Sequence, residues 1–285
     1  MKNSLKADPS RTATLRRVFQ TAVQKRFNEL KRRIKKLIET DDAFGLKESQ
    51  SSTTNSAVIT NTRWKARTSD EKLRLFQSWL FDQYAELGLD SITQIKNAFW
   101  HKYVADSYMK GVQRAFIDSR KDKLQKLDFF EGTKHQFLSQ SFGHPVSIEK
   151  VKLMSSRVLT DLQGVNQAVA SQLSRELTDG FAQQLHPRVI ASNIAKKVDT
   201  IGKTRATTIA RTEVIRVHAE GQLDAFEKLG IEKLGVAVEW STSADDRVCP
   251  LCEPLEGKSF TLKEAHGEIP RHPNCRCTWI PADPD

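Results

Sequence analysis

The stretch VCPLCEPLEGKSFTLKEAHGEIPRHPNCRC, residues 248–277, holds all four cysteines of a 285-residue chain: Cys249, Cys252, Cys275 and Cys277. One local structure must therefore account for every thiol in the protein. A Cys-x2-Cys pair and a Cys-x-Cys pair separated by 22 residues can present four sulfurs to one tetrahedral ion, with Zn–S distances near ~2.3 Å. The spacing favours structural zinc. Disulfides formed after release from a cell and free thiols are the alternatives; a reducing cytoplasm opposes the former, and Cys275 and Cys277 can bond to each other only with strain. His272, three residues before Cys275 in RHPNCRC, is an alternative ligand that would make the site Cys3His. Either set closes the coordination shell, which suits a structural ion rather than a catalytic one.

The tetrapeptide HPNC is superficially similar to part of a His-Asn-His nuclease site. Such a site needs a second metal-binding histidine about a helix further on, and Cys277 is followed only by TWIPADPD. The nuclease constellation is not completed there. A zinc-dependent nucleic-acid-binding protein or nuclease is nevertheless the competing functional class.

Charge is unevenly spread. The formal net charge is +10, while residues 1–40 carry 12 Lys and Arg against three acids, an excess of 12 − 3 = +9. Residues 241–285 hold 5 basic against 8 acidic groups, unlike a cysteine module that reads DNA, because phosphate neutralisation supplies most of such binding. No apolar run is long enough to cross a membrane and the N-terminus lacks the apolar core of a signal peptide, so the expected site of synthesis is a cytoplasm, with no membrane partner.

Patterning predicts an α+β chain, mostly α-helical: long helices followed by a small C-terminal β-hairpin module carrying the zinc site. In residues 14–38, Val23, Phe27, Leu30, Ile34 and Leu37 recur at steps of four and three, a narrow apolar stripe on a basic helix. Either the stripe docks on the protein itself or a partner helix, or the helix lies against nucleic acid or an acidic partner through Arg16, Arg17, Lys25, Arg26, Lys31, Arg32, Arg33, Lys35 and Lys36. Residues 48–63, rich in Ser, Thr and Asn, form a linker. A helix capped by Ser69 or Asp70 follows, with Leu73, Phe76, Leu80 and Tyr84 on one face. Further helices are expected over 93–118, 155–185, from Pro187, and from Lys203 to a stop at Gly230; residues 119–150 are left unassigned. Alternation of Val236, Val238 and Trp240 predicts a strand. The expected organisation is a basic helical arm (1–47), a polar linker (48–67), a helical body (68–150), a second helical part (151–232) and a small β module with the cysteines (233–285).

On the helix from Lys203, Arg211 and Glu213 lie about 200° apart and cannot pair with each other. One of them is expected to tie the helix to the cysteine hairpins, the alternative being exposed charges. Asp246 and Arg247 are placed at the turn before Cys249, where an Asp can accept backbone N–H bonds. Gly257 is assigned a positive-φ turn.

Taken in order, RATTIARTEVIRVHAEGQLDAF, VEWSTSADDRVCPLCEPLEGKSF and IPRHPNCRCTWIP resemble the C-terminal domain of the phage Mu F-like minor head proteins, or head morphogenesis proteins, over about residues 181–281. Arg211, Thr212, Glu213, Trp240, Asp246, Arg247 and Gly257 fall on the motif, as do the cysteines. The resemblance implies a non-enzymatic, minor structural protein of a tailed-phage head, made in the host bacterial cytoplasm and resident in the virion. It also implies the portal and other head proteins as partners, with double-stranded DNA as a further contact during packaging or delivery. Some relatives carry a toxin domain after this module; here the sequence ends at Asp285, and no such effector is expected.

Overall fold

The computed structural model describes residues 8–47, 64, 68–90, 94–120, 132–231 and 236–282. The expected linker at 48–63 lies outside the described residues, as do residues 121–131 of the stretch left unassigned by patterning. The class is α+β and mostly helical, with one small antiparallel sheet near the C-terminus. The chain divides into two compact units, one of residues 1–20, 94–158 and 208–285, the other of 21–93 and 159–207.

In the second of these, the later turns of α1 (Ala13–Lys35) run into a π-helical turn, Lys36–Thr40. Val23, Phe27, Leu30, Ile34 and Leu37 are all buried, so the narrow stripe is a core-facing face. Helix α2 (Ser69–Glu86) buries Phe76, Leu80 and Tyr84. Its cap is Thr68 rather than Ser69 or Asp70: the Thr68 hydroxyl accepts from Glu71 N at 3.2 Å while the Glu71 carboxylate accepts from Thr68 N at 3.1 Å, a reciprocal capping box. Helix α6 (Pro187–Lys197) has Pro187 in its first turn as expected, and the His186 ring caps it by accepting from Arg188 N. The Tyr84 hydroxyl donates to the Asn166 carbonyl, and Asn166 Nδ2 donates to the Leu89 carbonyl, which satisfies polar groups that burial would otherwise penalise.

The other unit contains α3 (His101–Asp118), α4 (Lys134–Gly143), the first part of α5 (Pro145–Ala182) and most of α7 (Thr204–Leu229). Helix α3 begins later than the expected residue 93, after a 3₁₀ turn at Ile95–Asn97, and α5 begins ten residues before the expected 155. Pro145 does not prevent that start, since a first-turn residue has no intrahelical N–H bond to lose. Gly230 ends α7 with φ +75°. Helices α3 and α7 touch backbone to backbone: a Cβ at Gly111 would sit 2.1 Å from the His218 carbonyl oxygen, and one at Gly221 2.5 Å from that of Tyr108.

Against α7 lies the sheet, in the order β2 (Ser259–Phe260), β1 (Val238–Ser241), β3 (Thr278–Pro281). Trp240 pairs across from Trp279 and Val238 across from Phe260 and Pro281. The two indoles meet edge to face at 5.3 Å and Phe260 closes the cluster at 5.3 Å from Trp279. Gly257 takes φ +75°, the left-handed turn expected of it, and its N–H donates to the Trp240 carbonyl at 2.9 Å.

Candidate metal centre

The VCPLC turn folds because Cys252 N and Glu253 N both donate to the Cys249 carbonyl at 3.0 Å, and the second turn closes with Cys275 N donating to the His272 carbonyl at 3.2 Å. Their side chains converge. Cys249, Cys252 and His272 form one group of donor atoms lying within 4.8 Å of one another, and Cys252, Cys275 and Cys277 a second, with Cys252 common to both. Cys252, Cys275 and Cys277 are buried and Cys249 half-buried.

The donor chemistry fits a soft divalent ion. Cys252 and Cys275 sulfurs stand 3.9 Å apart, far beyond an S–S bond of about 2.05 Å and close to the ~3.8 Å edge of a tetrahedron with ~2.3 Å arms. None of the four cysteines is joined to another in the structure. His272 Nδ1 lies 2.9 Å from the Pro273 carbonyl, an acceptor only, so Nδ1 carries the proton and Nε2 turns its lone pair to Cys249 Sγ at 3.0 Å. That orientation is the one a ligating histidine adopts. Hydrogen bonding from Cys277 pulls the Cys275 thiol down to about 5, whereas burial pushes Cys252 up to about 12 and the bond to Cys275 pushes Cys277 up as well. Packed thiols of this kind ionise together only beside a cation. A space of about 40 Å³ borders Cys249, Cys252, Cys277 and His272, room for an ion or a few waters.

The turn ahead of the cysteines is organised by Asp245. Its carboxylate accepts from both Arg276 terminal nitrogens at 2.7 Å, from Arg247 N at 3.2 Å and from the Arg247 guanidinium at 3.0 Å. Arg276 above all holds Asp245 well below the usual carboxylate range. Asp246, the residue expected to shape this turn, is exposed. The signal missed was the x of Cys-x-Cys, since only the fold shows that Arg276 reaches back to residue 245.

Thr212, Glu220 and Gln222 of α7 bond to this module. Asn274 N donates to Thr212 Oγ1 at 3.1 Å. Glu220 accepts from His266 Nδ1 at 2.7 Å and Gly267 N at 2.9 Å. The fully buried Gln222 donates to the Trp279 carbonyl at 2.8 Å and accepts from Thr278 Oγ1 at 2.7 Å. Glu220 and Gln222 escaped sequence reasoning, because nothing in the local pattern around Gly221 and Leu223 sets them apart. Arg211 donates to Gln20 at 3.0 Å. Glu213 is 3% exposed and accepts from Arg216 at 3.1 Å, with Arg157 3.7 Å away. Of the basic residues on and after α1, Arg16 pairs with Asp8, Lys31 with Asp199, Lys35 with Glu39 and Lys36 with Asp41. Arg32 and Arg33 grip Glu29, and Arg26 donates to the Leu87 carbonyl. Lys25 and Arg17 are exposed.

Residues 171–280 match the profile of the family described as phage Mu protein F like protein. This segment is phage Mu F-like. The Mu F-like segment takes in α6, α7, β1, β2, all but the last residue of β3, every cysteine, His272 and the Gln222 clamp. Neither the curated proteins nor the solved structures yield a match to the chain. Among the described residues no helix is long and apolar enough to cross a membrane.

Proposed function

We propose that the protein is a minor structural component of a tailed-phage head, made in the host cytoplasm and working at or near the portal. In this reading it contacts packaged double-stranded DNA through basic side chains that include those of α1. The observation that carries this reading is the match over 171–280, which encloses a cysteine and histidine cluster with room for an ion. Zinc is the proposed ion and its role structural. Cys252, Cys275 and Cys277 supply three sulfurs, and the fourth place falls to Cys249 or His272, which sit 3.0 Å apart. When bound, the ion neutralises the thiolates and staples the two turns. Purified under reducing conditions the chain should carry about one zinc, and Cys252→Ser should abolish it; metal analysis that finds none sinks this part.

Loss of the gene should leave genome replication intact and yield defective particles, with the protein co-sedimenting with head precursors or the portal in the wild type. A chain absent from every assembly intermediate, coupled with metal-dependent plasmid cleavage by the pure protein, would overturn the structural role and favour the nuclease.

A further inference from the structure

Five arginines from three separated parts of the sequence line one cleft of about 540 Å³: Arg16 and Arg17 on α1, Arg211 on α7, and Arg247 and Arg276 flanking the cysteine turns. All belong to the same compact unit. Two carboxylates are held against them, Asp8 on Arg16 and Asp245 on Arg276 and Arg247, so these seven groups leave an excess of 5 − 2 = +3. Arg211 has Gln20 as its hydrogen-bond partner at 3.0 Å, a neutral amide that fixes the side chain without cancelling its charge. Arg17, Arg211 and Arg247 are exposed at the rim.

Arginine rather than lysine at every cationic position matters chemically, because a guanidinium presents paired N–H groups that match two phosphate oxygens at once. Asp245 and Gln20 pre-orient three of these groups, which lowers the ordering cost of binding. We infer that the cleft is a phosphate-binding site that takes the backbone of double-stranded DNA, so that arginines beside the metal centre share the contact with those of α1. The choice of DNA over other phosphate sources rests on the proposed head role and on the basic balance of the chain, pI about 9.4; the cleft by itself specifies only phosphate.

The test is fluorescence anisotropy of the full-length protein with a short labelled duplex, titrated at several salt concentrations. The variant Arg17→Gln/Arg211→Gln/Arg247→Gln removes three exposed charges, and Lys134→Gln/Lys196→Gln/Lys263→Gln removes the same number outside the cleft. Far-UV circular dichroism melts establish that each is folded, and the single variant Arg211→Gln serves if the triple is not. The cleft variant should bind at least tenfold more weakly at low salt, with its salt slope reduced by roughly 2–3, near 0.9 for each phosphate no longer neutralised; the control should weaken less than threefold. Arg211→Gln alone should cost about threefold or more. Equal losses in cleft and control variants overturn the inference, as does undiminished binding by Arg211→Gln if that is the folded variant. Binding of millimolar inorganic phosphate, read by calorimetry, with no binding of duplex would reassign the cleft to a free phosphate, and retention of polyglutamate in place of duplex to an acidic protein; either overturns the DNA assignment. Co-sedimentation of the cleft variant with head precursors separates these results from failure of the head role itself.

Discussion

His218 is fully buried on α7 with Nε2 unpartnered among the described residues. Burial, reinforced by Arg114, Lys110 and Arg16 against the opposing Asp8, holds its pKa down to about 3, from an ordinary 6.5. The unfolded chain therefore binds a proton below pH 6.5 that the native state refuses, so this group's contribution is intact above 6.5 and declines as pH falls towards 3. His266 has the opposite sign, since its bond to Glu220 raises its pKa; that contribution is full below the unfolded value and fades as pH rises, and partial exposure keeps it small. Wild type should lose about 2 kcal/mol more than His218→Leu between pH 7 and pH 5 in urea melts. Parallel losses would mean that His218 is protonated in the native state. Gln222→Leu should cost about 2–4 kcal/mol, because it leaves the buried Thr278 hydroxyl and Trp279 carbonyl without the amide and unsatisfied groups carry the full desolvation penalty. A variant as stable as wild type would show that water or a shifted strand replaces the amide.

At the scale of elements, the α3–α7 crossing depends on two glycines whose neighbours are backbone atoms and cannot swing aside. Gly111→Ala and Gly221→Ala should each destabilise by about 1–3 kcal/mol or more. Gly164→Ala on α5, where an added Cβ meets nothing within 4 Å, should raise stability by about 0.5–1 kcal/mol. Thermal melts of the three variants check the ordering. These crossings show where sequence reading stops. The stripe on α1, the first-turn Pro187, the Gly230 stop and the Val238 and Trp240 alternation were legible because each is a local pattern with a local cause. Gly111 and Gly221 are 110 positions apart and carry no periodicity that links them. Pro145 looks like a terminator until the helix is seen to begin there. At the site, the cysteine spacing was legible and Gly257's turn with it, while Asp245–Arg276 and the Gln222 clamp span 31 and about 57 residues and exist only once the chain has folded.

For the whole molecule, the basic N-terminal helix cannot be removed as an appendage. Phe19 stacks on Tyr103 at 4.7 Å in one unit, and Val23, Phe27, Leu30, Ile34 and Leu37 are core in the other. Deleting residues 1–40 should yield an insoluble or unfolded product, assayed by circular dichroism and size-exclusion chromatography, since losing several fully buried large side chains at about 2–5 kcal/mol each exceeds the stability of an ordinary domain. A soluble, cooperatively melting truncation would show that the buried stripe is dispensable. Charge substitutions at the surface therefore test DNA contact where a deletion would test folding.

The segment between the cysteine pairs has anchors of its own. Leu262, Ala265 and Ile269 are buried, Thr261 and Glu264 cap the short helix α8 (Leu262–Ala265), and Glu220 holds His266 and Gly267 from α7. That is more apolar support than the sequence between residues 253 and 274 suggests. With β3 also fixed by Gln222 and the two indoles locked against each other, the newly synthesised chain can shape the sulfur cage before any ion arrives. On the proposed zinc reading, metallation is then a late step governed by supply in the cell, and a chelator should strip the ion while the tryptophan emission of Trp240 and Trp279 stays nearly unchanged.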